Sequence, residues 1–305
     1  MTTTPPKLTG LLAFPLTPFG PGLAVDLDAF GPQVEGHLAA GAGALFVACG
    51  TGEFSALAPE EVRQVLRVAR EVTGGRVPVW VGAGGGAELA RAGVRMAAEE
   101  GADGVLLLPP YLVAGPQEGL VRFVRHAVEG ADVPVIVYHR APAVFGLGAV
   151  RQLLDLPTVV GLKDGVGDVD LMTRIVTGVR ASGHPRAADF LFLNGLPTAE
   201  VSARAYSAIG VHTYSSAVHC FAPKIAHAFH QALAGGDNET MDDLLNRFYL
   251  PLVALRDETP GFAVSLVKAG ARLRGDRVGG VRPPLVDPTP EQVARLAKLI
   301  EGVNP

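Results

Sequence analysis

Only two cysteines, Cys49 and Cys220, occur in the 305 residues, too few and too isolated for a disulfide framework or a zinc cage. They suit a reducing cytoplasm, and Cys49 reads as a buried thiol at a strand end. Every apolar run is broken by Pro or Gly well short of a membrane span, and Met1-Thr-Thr-Thr-Pro-Pro-Lys7 has no continuous apolar h-region. The expectation is a soluble, unexported, cytoplasmic protein with no membrane partner. Charge of one sign is missing too. The formal net charge is −4, the pI is about 6.1 and the arginines are scattered, which excludes an electrostatic footprint for nucleic acid. Charged residues are 18% of the chain and hydrophobic residues 48%, so a substantial core is available. There is no linker-like low-complexity segment and no usable repeat.

Short β-rich apolar runs predict strands near 10–16, 44–49, 77–82, 104–108, 133–138, 158–163, 190–194 and 210–214. Helical periodicity lies between most neighbours: Pro59 to Val72, Glu88 to Glu100, Gln117 to Glu129, Asp168 to Arg180 and Thr198 to Ile209. Eight such units within roughly 215 residues fit an α/β fold of the closed (β/α)₈ TIM-barrel type better than an open sheet. Beyond Phe221 the patterns are helical only, over Pro223 to Ala234, Asp237 to Arg256, Gly261 to Leu273 and Thr289 to Glu301. The expected organisation is a catalytic barrel, residues 1–220, with a C-terminal helical extension, residues 221–305, packed on it.

Lys163 closes the run Val159-Val160-Gly161-Leu162-Lys163 and precedes a Gly-rich stretch. Strand alternation sets Val159, Gly161 and Lys163 on one face and Val160 and Leu162 on the other. An amine above a glycine in an apolar setting is a candidate imine-forming nucleophile. In barrels of this type the C-terminal strand ends build the active site. Thr51, Tyr111, Tyr138, Arg140, Lys163, Asn194, Ser215 and Ser216 all fall at or just after such ends. Tyr138 is expected on the strand beside that of Lys163, where a phenol can relay protons during imine formation. Other signals weigh less. Gly82-Ala-Gly84-Gly-Gly86 imitates part of a dinucleotide fingerprint, but Asp103 precedes a strand instead of ending one. His227 and His230 sit one helical turn apart without a third metal ligand, as on a solvated helix face. Glu53 reads as a carboxylate that orients its loop.

Four motifs in order, Gly50-Thr51-Gly52-Glu53, Pro109-Pro110-Tyr111, Val137-Tyr138 and Gly161-Leu162-Lys163-Asp164, resemble those of the dihydrodipicolinate synthase/N-acetylneuraminate lyase superfamily of Schiff-base aldolases and dehydratases. The likeness spans nearly the whole chain. Gly50 to Phe54, Gly161 to Asp168, Gly195 to Glu200 and Tyr214 to Val218 are most similar to its branch of 5-dehydro-4-deoxyglucarate dehydratases. Two departures argue against dihydrodipicolinate synthase proper: Gly50 replaces a second threonine, and Leu112 replaces the tyrosine that reaches a neighbouring subunit's site. His139 stands where these dehydratases more often have Asn.

The resemblance implies that Lys163 forms the Schiff base, that Tyr138 relays protons, and that Gly50 and Thr51 receive the carboxylate beside the ketone. It implies a sugar-diacid substrate, loss of water and carbon dioxide, no metal or organic cofactor beyond the covalent imine, and a homotetramer. Arg140 is a candidate for the distal carboxylate. Asn194, Ser215 and Ser216 are candidates for the hydroxyls or that carboxylate. Structural alternatives stand beside these: Arg140 paired with a loop acid, Asn194 capping the next helix, one serine satisfying backbone. Two other functions also fit the chain, a retro-aldol lyase for a 2-keto-3-deoxy sugar acid and a sugar-acid-binding barrel without turnover.

Overall fold

Strands covered on both faces are built from Val, Leu, Ile and Ala, and the expected strands have that composition. The computed structural model describes residues 8–110 and 113–303, so Tyr111 and Leu112 lie outside the described residues. Its strands are β1 (Leu12–Ala13), β2 (Ala44–Val47), β3 (Val79–Ala83), β4 (Gly104–Leu107), β5 (Val135–His139), β6 (Val159–Asp164), β7 (Leu191–Asn194) and β8 (Thr213–Ser216). They pair in parallel in chain order and β8 returns to β1, closing a barrel. α1 (Leu27–Ala39), α2 (Pro59–Thr73), α3 (Ala87–Glu99), α4 (Gln117–Val128), α5 (Leu147–Leu153), α6 (Val169–Arg180), α7 (Ala203–Ala208) and α8 (Pro223–Gly235) follow the eight strands in turn. The (β/α)₈ TIM-barrel architecture is thus the one observed.

After α8 the chain stays helical. α9 (Asn238–Leu244) runs through a π-helical turn, Leu245–Tyr249, into α10 (Leu250–Asp257), and α11 (Phe262–Leu273) and α12 (Pro290–Glu301) complete it. The widened turn ends two residues before Pro251, which has no N–H to give to the helix ladder. Apolar faces of these helices share one cluster with Leu11, Leu16 and Tyr214 at the barrel wall. No helix among the described residues is long and apolar enough to cross a membrane.

The barrel interior is aromatic, with Phe14 stacked on Phe46 at 4.7 Å and Phe46 on Trp80 at 5.4 Å. Alternation along β6 differs from the expected pattern. Its pairing with β5 steps from Val135 opposite Val159 to Ile136 opposite Gly161, leaving Val160 as an extra residue. Val160 therefore joins the inner cluster, while Val159 and Leu162 pack outward against the helices. From Gly161 onward the inward phase resumes, and Lys163 lies opposite Tyr138. The dinucleotide-like glycines lead nowhere, since Asp103 accepts from the backbone N–H of Val79 at 2.8 Å.

Candidate active site

The strand ends open onto a cavity of about 320 Å³ lined by Gly50, Thr51, Tyr138, Arg140, Lys163 and Ser215 together with Phe14 and Gly195. Lys163 is only 4% exposed. Its Nζ donates to the carbonyl of Gly195 at 3.3 Å and lies 4.1 Å from the centre of the Tyr138 ring and 5.1 Å from that of Phe14. Tyr138 donates its Oη to the same carbonyl at 3.0 Å, so both lone pairs of that oxygen are engaged by these two side chains. Residue 195 has to be glycine for this approach. A Cβ there would collide with Nζ and stand 2.6 Å from Cγ and 2.7 Å from Cε of Lys163.

Arg140 donates from Nη1 to Tyr138 Oη at 3.1 Å. Burial pushes the Tyr138 phenol up, but the charges of Lys163 and Arg140 and this hydrogen bond outweigh it and hold the phenol below its ordinary value. Asp164 faces away from the cavity and braces the strand end. It accepts from the N–H groups of Val166 at 2.9 Å and Gly167 at 3.2 Å and from the Tyr206 hydroxyl. His139 is fully buried and accepts from the Phe145 N–H at 2.9 Å through Nδ1, with Nε2 3.7 Å from Asp164. Burial lowers its pKa against the pull of Asp164 and Asp168, so the neutral ring anchors the turn that carries Arg140.

At the β2 end, Gly50 and Thr51 line the cavity, and nothing lies within 4 Å of where a Gly50 Cβ would be. Glu53, at φ 57°, points the other way. It forms an ion pair with Lys268 of α11 at 2.7 Å and accepts from the backbone N–H of Arg282 at 3.0 Å. It thus holds the loop from behind. Cys49 is a buried thiol pushed up to about 12 by burial, against the opposing charge of Lys163.

Two expected site residues are placed elsewhere. Asn194 is fully buried, donates to Ala199 O at 3.1 Å and Ser202 Oγ at 2.8 Å, and accepts from Leu196 N at 3.2 Å, which fixes the turn before α7. Ser216 is also buried, donates to Glu200 and accepts from His219 N at 3.3 Å. Neither lines the cavity. His227 and His230 are not on a solvated face: His227 packs on His219 at 5.3 Å and His230 on Tyr214 at 5.8 Å. Among the described residues no group of three or more His, Cys, Asp or Glu could hold a metal.

The cavity has further walls that sequence reasoning missed. Phe14 shares the alternation of Leu12 and was findable on that ground. Thr198 and Arg256, the latter from α10, also line it. Arg256 donates to Pro197 O and Thr198 Oγ1, each at 3.0 Å, a contact across 58 residues that no local pattern signals. The charged residues of the wall are Lys163, Arg140 and Arg256; among the described residues no carboxylate lines it.

The sequence model of the Dihydrodipicolinate synthetase family matches residues 7–303. The chain belongs to this family. A family structure, dihydrodipicolinate synthase from Oceanobacillus iheyensis, superposes with a TM-score of 0.86 at 26% identity, covering 95% of both chains. Curated relatives are more similar in sequence. A protein of Streptomyces avermitilis named probable 5-dehydro-4-deoxyglucarate dehydratase 1 is 51% identical over 293 residues, 96% of this chain and 93% of its own. One of the same name from Streptomyces coelicolor is 52% identical over 96% of this chain and 92% of its own, and a probable 5-dehydro-4-deoxyglucarate dehydratase of Rhizobium rhizogenes is 44% identical over 96% and 95%.

Proposed function

We propose that this chain is a hydro-lyase that converts 5-dehydro-4-deoxy-D-glucarate to 2,5-dioxopentanoate, water and carbon dioxide in sugar-diacid catabolism. The observation that supports this reading most is the charge of the cavity wall: an imine-forming lysine and two arginines, with no carboxylate among the described lining residues, suit a substrate with a carboxylate at each end. The names of its half-identical relatives point to the same reaction.

In the proposed mechanism Lys163 adds to the ketone and, with loss of water, gives a protonated iminium. Gly50 and Thr51 receive the adjacent carboxylate. The iminium acidifies the neighbouring methylene; removal of its proton gives an enamine, which expels the hydroxyl one carbon further on as water. Tyr138, with its phenol held low by Lys163 and Arg140, is placed to carry these protons. The conjugated iminium then accepts the electron pair of the bond to the distal carboxylate. Carbon dioxide departs, leaving a dienamine whose enol ketonises to the aldehyde as protons return to carbon, and hydrolysis of the restored imine frees Lys163. Ser215 lies on the wall, and we assign it a substrate hydroxyl. A cytoplasmic homotetramer forms part of the proposal, and light scattering should return four times the chain mass.

The test is incubation with the diacid, following carbon dioxide and trapping the imine with borohydride by intact mass, in parallel with Lys163→Ala. Carbon dioxide and a reducible adduct that vanishes in the variant are expected. Pyruvate and an aldehyde in place of carbon dioxide would make the enzyme a retro-aldol lyase, and the lack of an adduct with any 2-oxo acid would remove Lys163 from the chemistry.

A further inference from the structure

Two guanidiniums line the cavity, and their partners separate their roles. Arg140 is tied through Tyr138 Oη to the reacting centre. Arg256 comes from α10, and its side chain is 19% exposed. Three hydrogen bonds orient it: Nη1 to Pro197 O and Thr198 Oγ1, each at 3.0 Å, and Nε to Asp257 Oδ1 at 2.8 Å. Its Nη2 has no acceptor among the described residues. The guanidinium is therefore held in place before a ligand arrives, with donor capacity left over.

Its position along the substrate follows from the loop after β7. The Lys163 amine is held by the carbonyl of residue 195 and Arg256 by the carbonyl of residue 197. Two residues of chain span at most about 7 Å. The four bonds that separate the ketone carbon from the distal carboxylate carbon, plus a hydrogen bond, bridge a gap of that order. Thr198, the residue after Pro197, is held at φ 56°, a left-handed conformation unfavourable for a non-glycine residue, and its hydroxyl is bound by Arg256. The wall beside Arg256 is formed by Gly261, Ala263 and Val264; the one carboxylate on Arg256, Asp257, is ion-paired through Nε at 2.8 Å and leaves the two terminal nitrogens to the cavity side.

We propose that Arg256, supplied by the helical extension, receives the carboxylate remote from the imine and so sets the preference for 2-oxo diacids over monoacids of equal length. The inference rests on the diacid reading of the site, and it extends that reading to a specificity-determining residue.

The experiment compares two six-carbon probes, 2-oxoadipate and 2-oxohexanoate, in borohydride trapping across a concentration range. Both can form the imine, and neither carries a hydroxyl to eliminate, so binding is read without turnover. The wild type should trap 2-oxoadipate at lower concentration. Arg256→Met should raise the half-saturating 2-oxoadipate concentration by roughly tenfold or more and leave 2-oxohexanoate unchanged, with Arg256→Lys recovering part of the difference. Equal loss with both probes would reduce Arg256 to a brace for the 197–198 turn, and no change with either would remove it from the site. Carbon dioxide release from the hydroxylated diacid is scored separately: its failure in the wild type would overturn the decarboxylating reaction while the two-probe comparison still judges Arg256.

Discussion

A single carbonyl, that of Gly195, fixes the relative positions of the Lys163 amine and the Tyr138 phenol. Gly195→Ala would push a methyl into Lys163 and displace Nζ by a fraction of its length. A misplacement of about 1 Å costs roughly a hundredfold in rate, so the variant should keep the circular dichroism of the folded barrel yet lose borohydride trapping by about that factor. Arg140→Met tests the neighbouring link. Without the guanidinium the phenol's pKa rises, so the limb of the pH–rate profile that belongs to Tyr138 should move to higher pH, whether the phenol acts as acid or base. An unmoved profile would detach Arg140 from Tyr138, and a loss confined to diacids would return Arg140 to the distal carboxylate. Tyr138 and Lys163 were legible in sequence because the two-residue period of a strand sets their direction once the strand is recognised. The same period, followed further, would have set Asn194 aside: it pairs with Asp164, in the phase opposite to Lys163 opposite Leu193. Likewise only one of the adjacent Ser215 and Ser216 can face inward.

At the scale of elements, strand runs and long amphipathic helices were readable, whereas α1 and α5 left little trace. α1 contains Pro32 and two internal glycines, and α5 has seven residues, two turns with little room for a period to show. The break in β6 alternation at Val160 is a product of pairing with β5, which no strand announces by itself. Residues 221–305 include α8, the eighth helix of the barrel; we propose that the helices after it form an extension inseparable from the barrel, because Lys268 of α11 is buried against Glu53 of the loop after β2 and also donates to Gly280 O at 2.7 Å. Lys268→Met would leave the Glu53 charge buried without its partner. A loss of about 3–5 kcal/mol in urea unfolding is expected, with Glu53→Gln/Lys268→Met recovering much of it. A cost below 1 kcal/mol would mean that the extension does not hold the loop through this pair.

For the whole molecule, buried titratable groups that do not line the cavity should decide the pH range of stability. His37 and His219 meet Nδ1 to Nδ1 at 2.9 Å with stacked rings, so one must donate and the other accept. Burial first, then the neighbouring His219, lowers His37 to about 3; burial first, then His227, lowers His219 to about 4. Unfolded, each titrates near 6.5. The unfolded chain therefore binds more protons below that value, and the stability these rings support above pH 6.5 is lost as the pH falls, by about 2 kcal/mol per ring at pH 5. Glu200 acts in the opposite sense. Burial, against the Ser216 hydrogen bond, raises it to about 7, so the folded state keeps a proton that the unfolded chain sheds near 4.5, and stability declines as pH rises between those values. Two histidine protons outweigh one carboxyl proton on the acid side, whereas above about pH 6.5 the last protons shed by the unfolded histidines offset the ionisation of Glu200. A fall in stability below about pH 6.5 and a plateau above it follow for these three groups together. Melting temperatures taken from pH 4.5 to 8.5 should show it. His219→Asn should flatten the acid side, and Glu200→Gln should raise stability at pH 8 by about 3 kcal/mol while leaving pH 5 nearly unchanged; a Glu200→Gln curve parallel to wild type would mean that this carboxyl is already ionised in the folded protein.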